Sequence, residues 1–172
     1  MNRNWNKDWR KSIIVMSGGF DPIHKGHLRM FREASWLGHH VVVGLNSDDW
    51  LTRKKGKPFM EFEERKEIIE GFKYVNQVIP FDDSDDTASD LIRRVHTIYD
   101  GKEFEYNYED VGHQGMNDYF QIYFANGGDR GKGNVPELDV CKELGVTMLW
   151  GVGGGKIQSS SWLINGGKDD EV

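Results

Sequence analysis

Short apolar runs alternate along the chain with stretches whose apolar residues recur at helical spacing. Ser12-Ile13-Ile14-Val15-Met16 and Val41-Val42-Val43-Gly44-Leu45-Asn46 are runs of the kind that strands buried on both faces show. Between them Leu28, Met30, Phe31, Ala34 and Leu37 mark one face of a helix that stops at Gly38. Glu61 to Gly71 reads as a second helix, with Phe62, Ile68, Ile69 and Phe72 available to pack inward, and Leu91, Ile92 and Val95 fall on a third. Asp118 to Ala125 reads as a strand, Pro136 to Leu144 as a helix with proline in its first turn, and Val146 to Trp150 as a last strand. This alternation predicts a doubly wound α/β sheet of about five parallel strands in a single domain.

Length and composition narrow the class. The 172 residues suit one compact domain with a real core, and 37% hydrophobic with 29% charged residues is a soluble globular balance. We expect an N-terminal arm over 1–11, carrying Trp5 and Trp9, a domain over 12–165, and a polar tail over 166–172. No apolar run approaches a membrane span, and no signal-peptide pattern opens the chain. The single cysteine, Cys141, excludes an internal disulfide and fits a reducing, cytoplasmic compartment. A net charge of −6 argues against a nucleic-acid partner, so any polyanionic ligand needs a local cluster of Lys, Arg and His.

That cluster begins at the turn between the first strand and the first helix, Gly18-Gly19-Phe20-Asp21-Pro22-Ile23-His24-Lys25-Gly26-His27-Leu28. His24 and His27 are three apart, so they share one face of the helix's first turn. The unpaired N–H groups there carry the positive end of the helix dipole and favour a phosphate. Gly26, lacking a Cβ, lets a ligand approach the backbone. The competing reading is that the histidine pair only caps and packs the helix. His39 and His40, adjacent in a strand, point to opposite faces and make a poor metal pair.

The full string Gly-x-Phe-Asp-Pro-x-His-x-Gly-His-Leu resembles the His-x-Gly-His signature of the nucleotidylyltransferase superfamily. Its members include glycerol-3-phosphate and phosphoethanolamine cytidylyltransferases, heptose-phosphate adenylyltransferase and phosphopantetheine adenylyltransferase. The resemblance implies a Rossmann-like sheet in the order 3-2-1-4-5, a homodimer, and Gly18, Gly19, Phe20, Asp21 and Gly26 at the nucleotide. Glu64 to Pro80 resembles the matching helix and third strand of the glycerol-3-phosphate cytidylyltransferases. It carries Arg65 over as a phosphate-binding position, and Lys73 by charge alone. Phe81 to Ile92 is more similar to the heptose-phosphate adenylyltransferases. Its aspartates, Asp82, Asp83, Asp85 and Asp86, read as capping and solvated residues. Residues 99–118 find no counterpart in the short members, and read as an insertion serving as lid, subunit contact or part of an acceptor pocket.

Two further stretches carry charge or hydroxyls. Arg53-Lys54-Lys55-Gly56-Lys57 is either a solvated loop or a mobile cationic flap over a polyphosphate. Lys54 and Lys57 match the family's flap lysines in their spacing from Arg65. At the other end Gly155-Lys156 is not a P-loop, since Trp150 stands five before Gly155 and Ile157 follows the lysine. Ile157-Gln158-Ser159-Ser160-Ser161 resembles instead the superfamily's closing Ser/Thr-rich turn, which opens the final helix. Gly128 and Asp129 match its Gly-Asp. The cytidylyltransferases usually carry an arginine where this chain has Gly153, and Lys156 could supply that charge.

The expected reaction is nucleotidyl transfer from CTP, or alternatively ATP, to a phosphorylated small-molecule acceptor such as glycerol 3-phosphate or a sugar phosphate. His24, His27, Lys54 and Lys57 would be catalytic. Arg65, Lys156, Ile157, Ser159, Ser160 and Ser161 would grip the nucleotide. Mg²⁺ would bridge phosphate oxygens, with Asp21 and Asp129 as possible metal or nucleotide contacts. A catalytically silent nucleotide-binding module is the reading from another class.

Overall fold

Five parallel strands form one sheet in the order β3-β2-β1-β4-β5. The computed structural model describes residues 12–99, 120–127 and 135–166. In chain order the elements are β1 (Ser12–Gly18), α1 (Lys25–Leu37), β2 (His40–Leu45), α2 (Asp48–Lys55), α3 (Phe62–Glu70) and β3 (Gln77–Pro80). Then come α4 (Ser89–Tyr99), β4 (Gln121–Gly127), α5 (Leu138–Leu144), β5 (Thr147–Val152) and α6 (Ser160–Ile164). The strand order and the parallel α/β architecture are those expected from the chain.

Helices on both faces explain why β1 reads as an unbroken apolar run. Successive residues of a strand point to opposite sides, so a strand covered on both sides needs apolar residues at every position. Ile13 and Val15 pack with Leu91, Ile92, Phe124 and Val140 under α4 and α5. Ile14 and Met16 pack with Phe31, Val41, Val43 and Ile69 on the other face. Each such side chain contributes roughly 1.5–3 kcal/mol through burial, so the central strands are the rigid platform of the molecule.

Several elements depart from the expected reading. The cationic run is not a loop throughout, because α2 extends through Lys55 before ending at Gly56, whose φ of 94° ends the helix. Ser47 caps α2 by accepting from the Trp50 amide, Asp48 and Asp49 stand in its first turn, and three cations stand in its last. That arrangement matches the helix dipole at both ends. Asp83 is not solvated. It is buried, and its carboxylate accepts from the side chain of Asn46 and from the amide and hydroxyl of Ser47. Asp82 and Asp85 are exposed as expected, but instead of capping α4 they accept from the Ser84 and Thr87 amides two residues on. The arm over 1–11 lies outside the described residues, as do the tail beyond Gly166 and the expected insertion beyond Tyr99.

Candidate active site

The sheet order reverses between β1 and β4, where a crevice opens beyond the carboxyl ends of the strands. A cavity of about 350 Å³ occupies it, bounded by the end of β1, the start of α1, the end of β4 and the segment from Val152 to Ser160. Of the expected site residues, Gly18, Gly19, Phe20, His24, Gly26, His27, Lys156, Ile157, Ser159 and Ser160 line it. Gly128 and Asp129 lie outside the described residues.

The histidines both cap the helix and face the crevice. His24 is the N-cap of α1, and its Nδ1 accepts from the Gly26 amide at 3.1 Å. His27 Nδ1 accepts in turn from the His24 amide at 3.4 Å, closing a reciprocal capping box. The rings stack with centroids 3.7 Å apart, and Phe20 meets His27 edge-on at 4.9 Å. A ring nitrogen that accepts from a backbone amide cannot carry the proton, so in each neutral ring the hydrogen sits on Nε2. Burial, with the neighbouring His24 charge, pushes the His27 pKa down to about 3. Burial and then nearby Lys156 lower that of His24 as well. At neutral pH the pair therefore offers two neutral Nε2–H donors. Capping, posed from sequence as the alternative to ligand binding, occupies only Nδ1 of each ring, so it does not exclude a ligand at Nε2.

Gly26 lines the crevice, and its lack of a side chain also serves the cap. A Cβ there would meet the His24 ring at 2.9 Å, so the residue makes room for the capping imidazole. Phe20 holds a left-handed φ of 48°, a conformation non-glycine residues keep only when their surroundings impose it. Its ring is buried against His27 and Phe31.

Two expected ligand residues turn out to be scaffolding. Arg65 is fully buried and does not line the crevice. Its Nε donates to the Met60 carbonyl, Nη1 to the carbonyls of Gly19 and Asn46, and Nη2 to Asp48 at 2.6 Å. Four acceptors hold this guanidinium, so it ties the end of β1 to α2 and α3 rather than gripping phosphate. Asp21 is similarly committed. Its carboxylate accepts from the Phe59 and Met60 amides at 2.7 and 2.6 Å and pairs with Lys55 Nζ at 2.6 Å. Burial opposes its ionisation, but Lys55 and the two amides outweigh that and hold the carboxyl below its ordinary range. Both oxygens are engaged, so Asp21 as folded here is no metal ligand.

Lys54 and Lys57 are exposed and do not line the crevice. Lys54 Nζ lies 5.7 Å from the centre of the Trp50 ring. The cation of this run that touches the signature is Lys55, which also donates to the Asp21 carbonyl at 2.6 Å.

The closing turn meets the signature directly. Ser159 caps α6 by accepting from the Trp162 amide, and Ser160 Oγ donates to the Pro22 carbonyl at 2.8 Å. Ser161 does not line the crevice, and its hydroxyl lies 3.0 Å from that of Ser159. Lys156 Nζ sits 5.2 Å from the centre of the Trp162 ring. Gly153 and Gly154 hold left-handed φ values of 90° and 66°, which carry the backbone over α1. There the Gly153 amide donates to Glu33 Oε2 at 2.8 Å. Sequence reasoning missed Glu33 and Asn126, and within the cationic run it singled out Lys54 and Lys57 rather than Lys55; only the fold brings these three to the crevice or its supports.

Residues 15–129 match the model of the cytidylyltransferase-like family. The chain belongs to that family. It is 33% identical to the glycerol-3-phosphate cytidylyltransferase of Bacillus subtilis over 79 residues, 46% of this chain and 61% of that protein. It is also 33% identical to the bifunctional protein HldE of Shewanella loihica over 101 residues, 58% of this chain and 21% of that protein. These matches span less than two thirds of each relative's length. The fold resembles the crystal structure of the lipopolysaccharide core biosynthesis protein from Thermoplasma volcanium GSS1. The TM-score is 0.54 at 20% identity, covering 80% of this chain and 92% of that one.

Proposed function

We propose that this member of the cytidylyltransferase-like family is a nucleotidylyltransferase working in the crevice between β1 and β4. An oxygen of the acceptor's phosphate attacks the α-phosphorus of a nucleoside triphosphate. A new P–O bond forms, the bond to the bridging oxygen breaks, and pyrophosphate leaves. A phosphate monoester has a second pKa near 6, so it is already anionic at neutral pH and needs no general base. The protein's task is alignment and stabilisation of charge.

The observation that carries this reading is the capped histidine pair. Two Nε2–H donors, fixed by backbone amides at the amino end of α1, stand at the crevice wall. Donors already oriented toward developing negative charge need no reorganisation during reaction. Lys156 adds the cation, while Ser159 and Ser160 bring the closing turn to the same wall. Lys54 and Lys57 join only if the end of α2 and the segment after it close over the triphosphate. No carboxylate lines the described crevice, so Mg²⁺ would arrive on the phosphate oxygens, with Asp129 as a possible further contact.

CTP is favoured as donor. The resemblance of Glu64 to Pro80 and the name of the Bacillus relative support it. ATP with a sugar-phosphate acceptor is the second reading, favoured by Phe81 to Ile92, by Gly127-Gly128-Asp129 and by the glycine at 153. A thermal-shift panel of CTP, ATP, GTP and UTP with Mg²⁺ tests the choice, because the preferred ligand stabilises the fold by mass action. We expect the largest shift with CTP. A clear shift with ATP and none with CTP reverses the assignment. A homodimer and a cytoplasmic setting belong to the same proposal.

A further inference from the structure

The segment from Gly153 to Gln158 lines the crevice and lies across α1 as well. A Cβ at Gly153 would meet Met30 at 3.1 Å, and one at Gly154 would collide with the Arg29 guanidinium. Three left-handed glycines, at 151, 153 and 154, leave this backbone little rigidity of its own. Among the described residues, one hydrogen bond ties the segment to another element: the Gly153 amide donates to Glu33 Oε2 at 2.8 Å. The Gly154 amide turns back instead to the Gly151 carbonyl.

Electrostatics alone would not place Glu33 there. A carboxylate beside a crevice that takes a triphosphate repels the ligand, and more strongly where water is excluded. Arg29, one turn earlier, offsets that charge, with its Nε 3.4 Å from Glu33 Oε1. Both side chains are part-exposed, so this pair adds little to the stability of the helix. The bond to Gly153 has more leverage, because its acceptor is ionised and it joins residues 120 apart in the chain. His27 and Glu33 both belong to α1, six residues or about 9 Å apart along its axis. One rigid helix therefore holds the histidine pair at its amino end and the closing segment further along.

We propose that Glu33 is a positioning residue for the triphosphate. Its carboxylate clasps the closing segment to α1 and so sets Lys156 and Ile157 at a fixed place relative to His24 and His27. The inference rests on the nucleotidyl-transfer reading of the crevice. Without the clasp the segment holds its binding position for a smaller fraction of the time, and apparent affinity falls by that fraction.

Glu33→Ala and Glu33→Gln separate the clasp from its charge. Both remove a negative charge beside a polyanion, so charge alone predicts tighter triphosphate binding in both. Glutamine keeps an oxygen for the Gly153 amide, and alanine does not. Calorimetry with CTP and with ATP, each with Mg²⁺, should show binding of the preferred one weakened about tenfold by Glu33→Ala. Glu33→Gln should restore it to within about twofold of wild type. With glycerol 3-phosphate or glucose 1-phosphate as acceptor, pyrophosphate release should place the loss in the triphosphate KM and not in kcat or the acceptor KM. Amide exchange in the ligand-free protein should be faster across 153–158 in Glu33→Ala and unchanged in β1 and β2. Unchanged or tighter triphosphate binding in Glu33→Ala, no restoration by Glu33→Gln, or a loss confined to kcat overturns the proposal. So does exchange that is unchanged over 153–158 or faster throughout the sheet. Wild type that binds neither triphosphate sinks the transfer reading and this role together. Wild type that turns over while Glu33→Ala behaves like it sinks the clasp alone.

Discussion

His27 commits Nδ1 to the backbone of α1 and lines the crevice, and burial keeps the ring neutral with its pKa about 3. An unfolded histidine titrates near its ordinary value of 6.5, so between about 3 and 6.5 the native state binds fewer protons than the unfolded state. Stability therefore rises with pH across that window and is lost as pH falls through it. His24 and His40 are shifted the same way, by burial first in each case. Urea unfolding should show the protein about 1–2 kcal/mol less stable at pH 5 than at pH 7.5, and His27→Ala should flatten the difference. Equal stabilities in wild type would contradict the buried neutral ring. Asp21 titrates lower and acts in the same direction. Its stabilisation is present above the ordinary carboxylate pKa and disappears as pH falls through its depressed folded value. Asp21→Asn should cost roughly 2–4 kcal/mol at neutral pH, because it removes the buried charge that pairs with Lys55 and sets an NH2 donor against one of the two amides that the carboxylate accepts from. A change below half a kcal/mol in denaturant unfolding would show that the pair is dispensable. The signature made Asp21 and Arg65 look like ligand residues because a sequence displays charge and not partners. Phe59, Met60 and Asp48, which satisfy these groups, are brought to them by the fold.

Among the elements, α1 was legible because its apolar face and its signature turn agree. α2 was not, since Leu51 is its one buried residue and gives no amphipathic period to read. Its identity lies in the Ser47 cap and in the placement of acids first and cations last, a weaker signal in a run of charges. The segment after it is latched, with the amides of Phe59 and Met60 on Asp21 and the Met60 carbonyl on Arg65. Were the end of α2 and this segment to close over bound triphosphate, Lys54→Ala and Lys57→Ala would each raise the apparent KM for it several-fold. Added salt would then weaken wild-type binding more than mutant binding. Steady-state kinetics at two ionic strengths measure this. Unchanged KM and salt dependence would make the run a solvated surface.

At the scale of the molecule, the strand order sets the reversal between β1 and β4, and the signature turn and the closing turn converge there. The order was expected from resemblance to a known family, and the strands themselves from their apolar runs. The far wall of the crevice was not legible. Asn126 is a single polar residue near the end of an apolar strand, and the burial of its Nδ2 with no partner among the described residues exists only in three dimensions. The most direct test of the account is pyrophosphate release with CTP or ATP and glycerol 3-phosphate or a sugar phosphate, by wild type and by His27→Ala. Calorimetric binding of the triphosphate is followed in parallel. A donor acting mainly on transition-state charge affects turnover more than ground-state affinity. We predict turnover by wild type and a loss of ~10²–10³ in kcat for His27→Ala, with triphosphate binding weakened only modestly. Near-wild-type turnover in the variant, or no pyrophosphate from wild type with any pair, would contradict it.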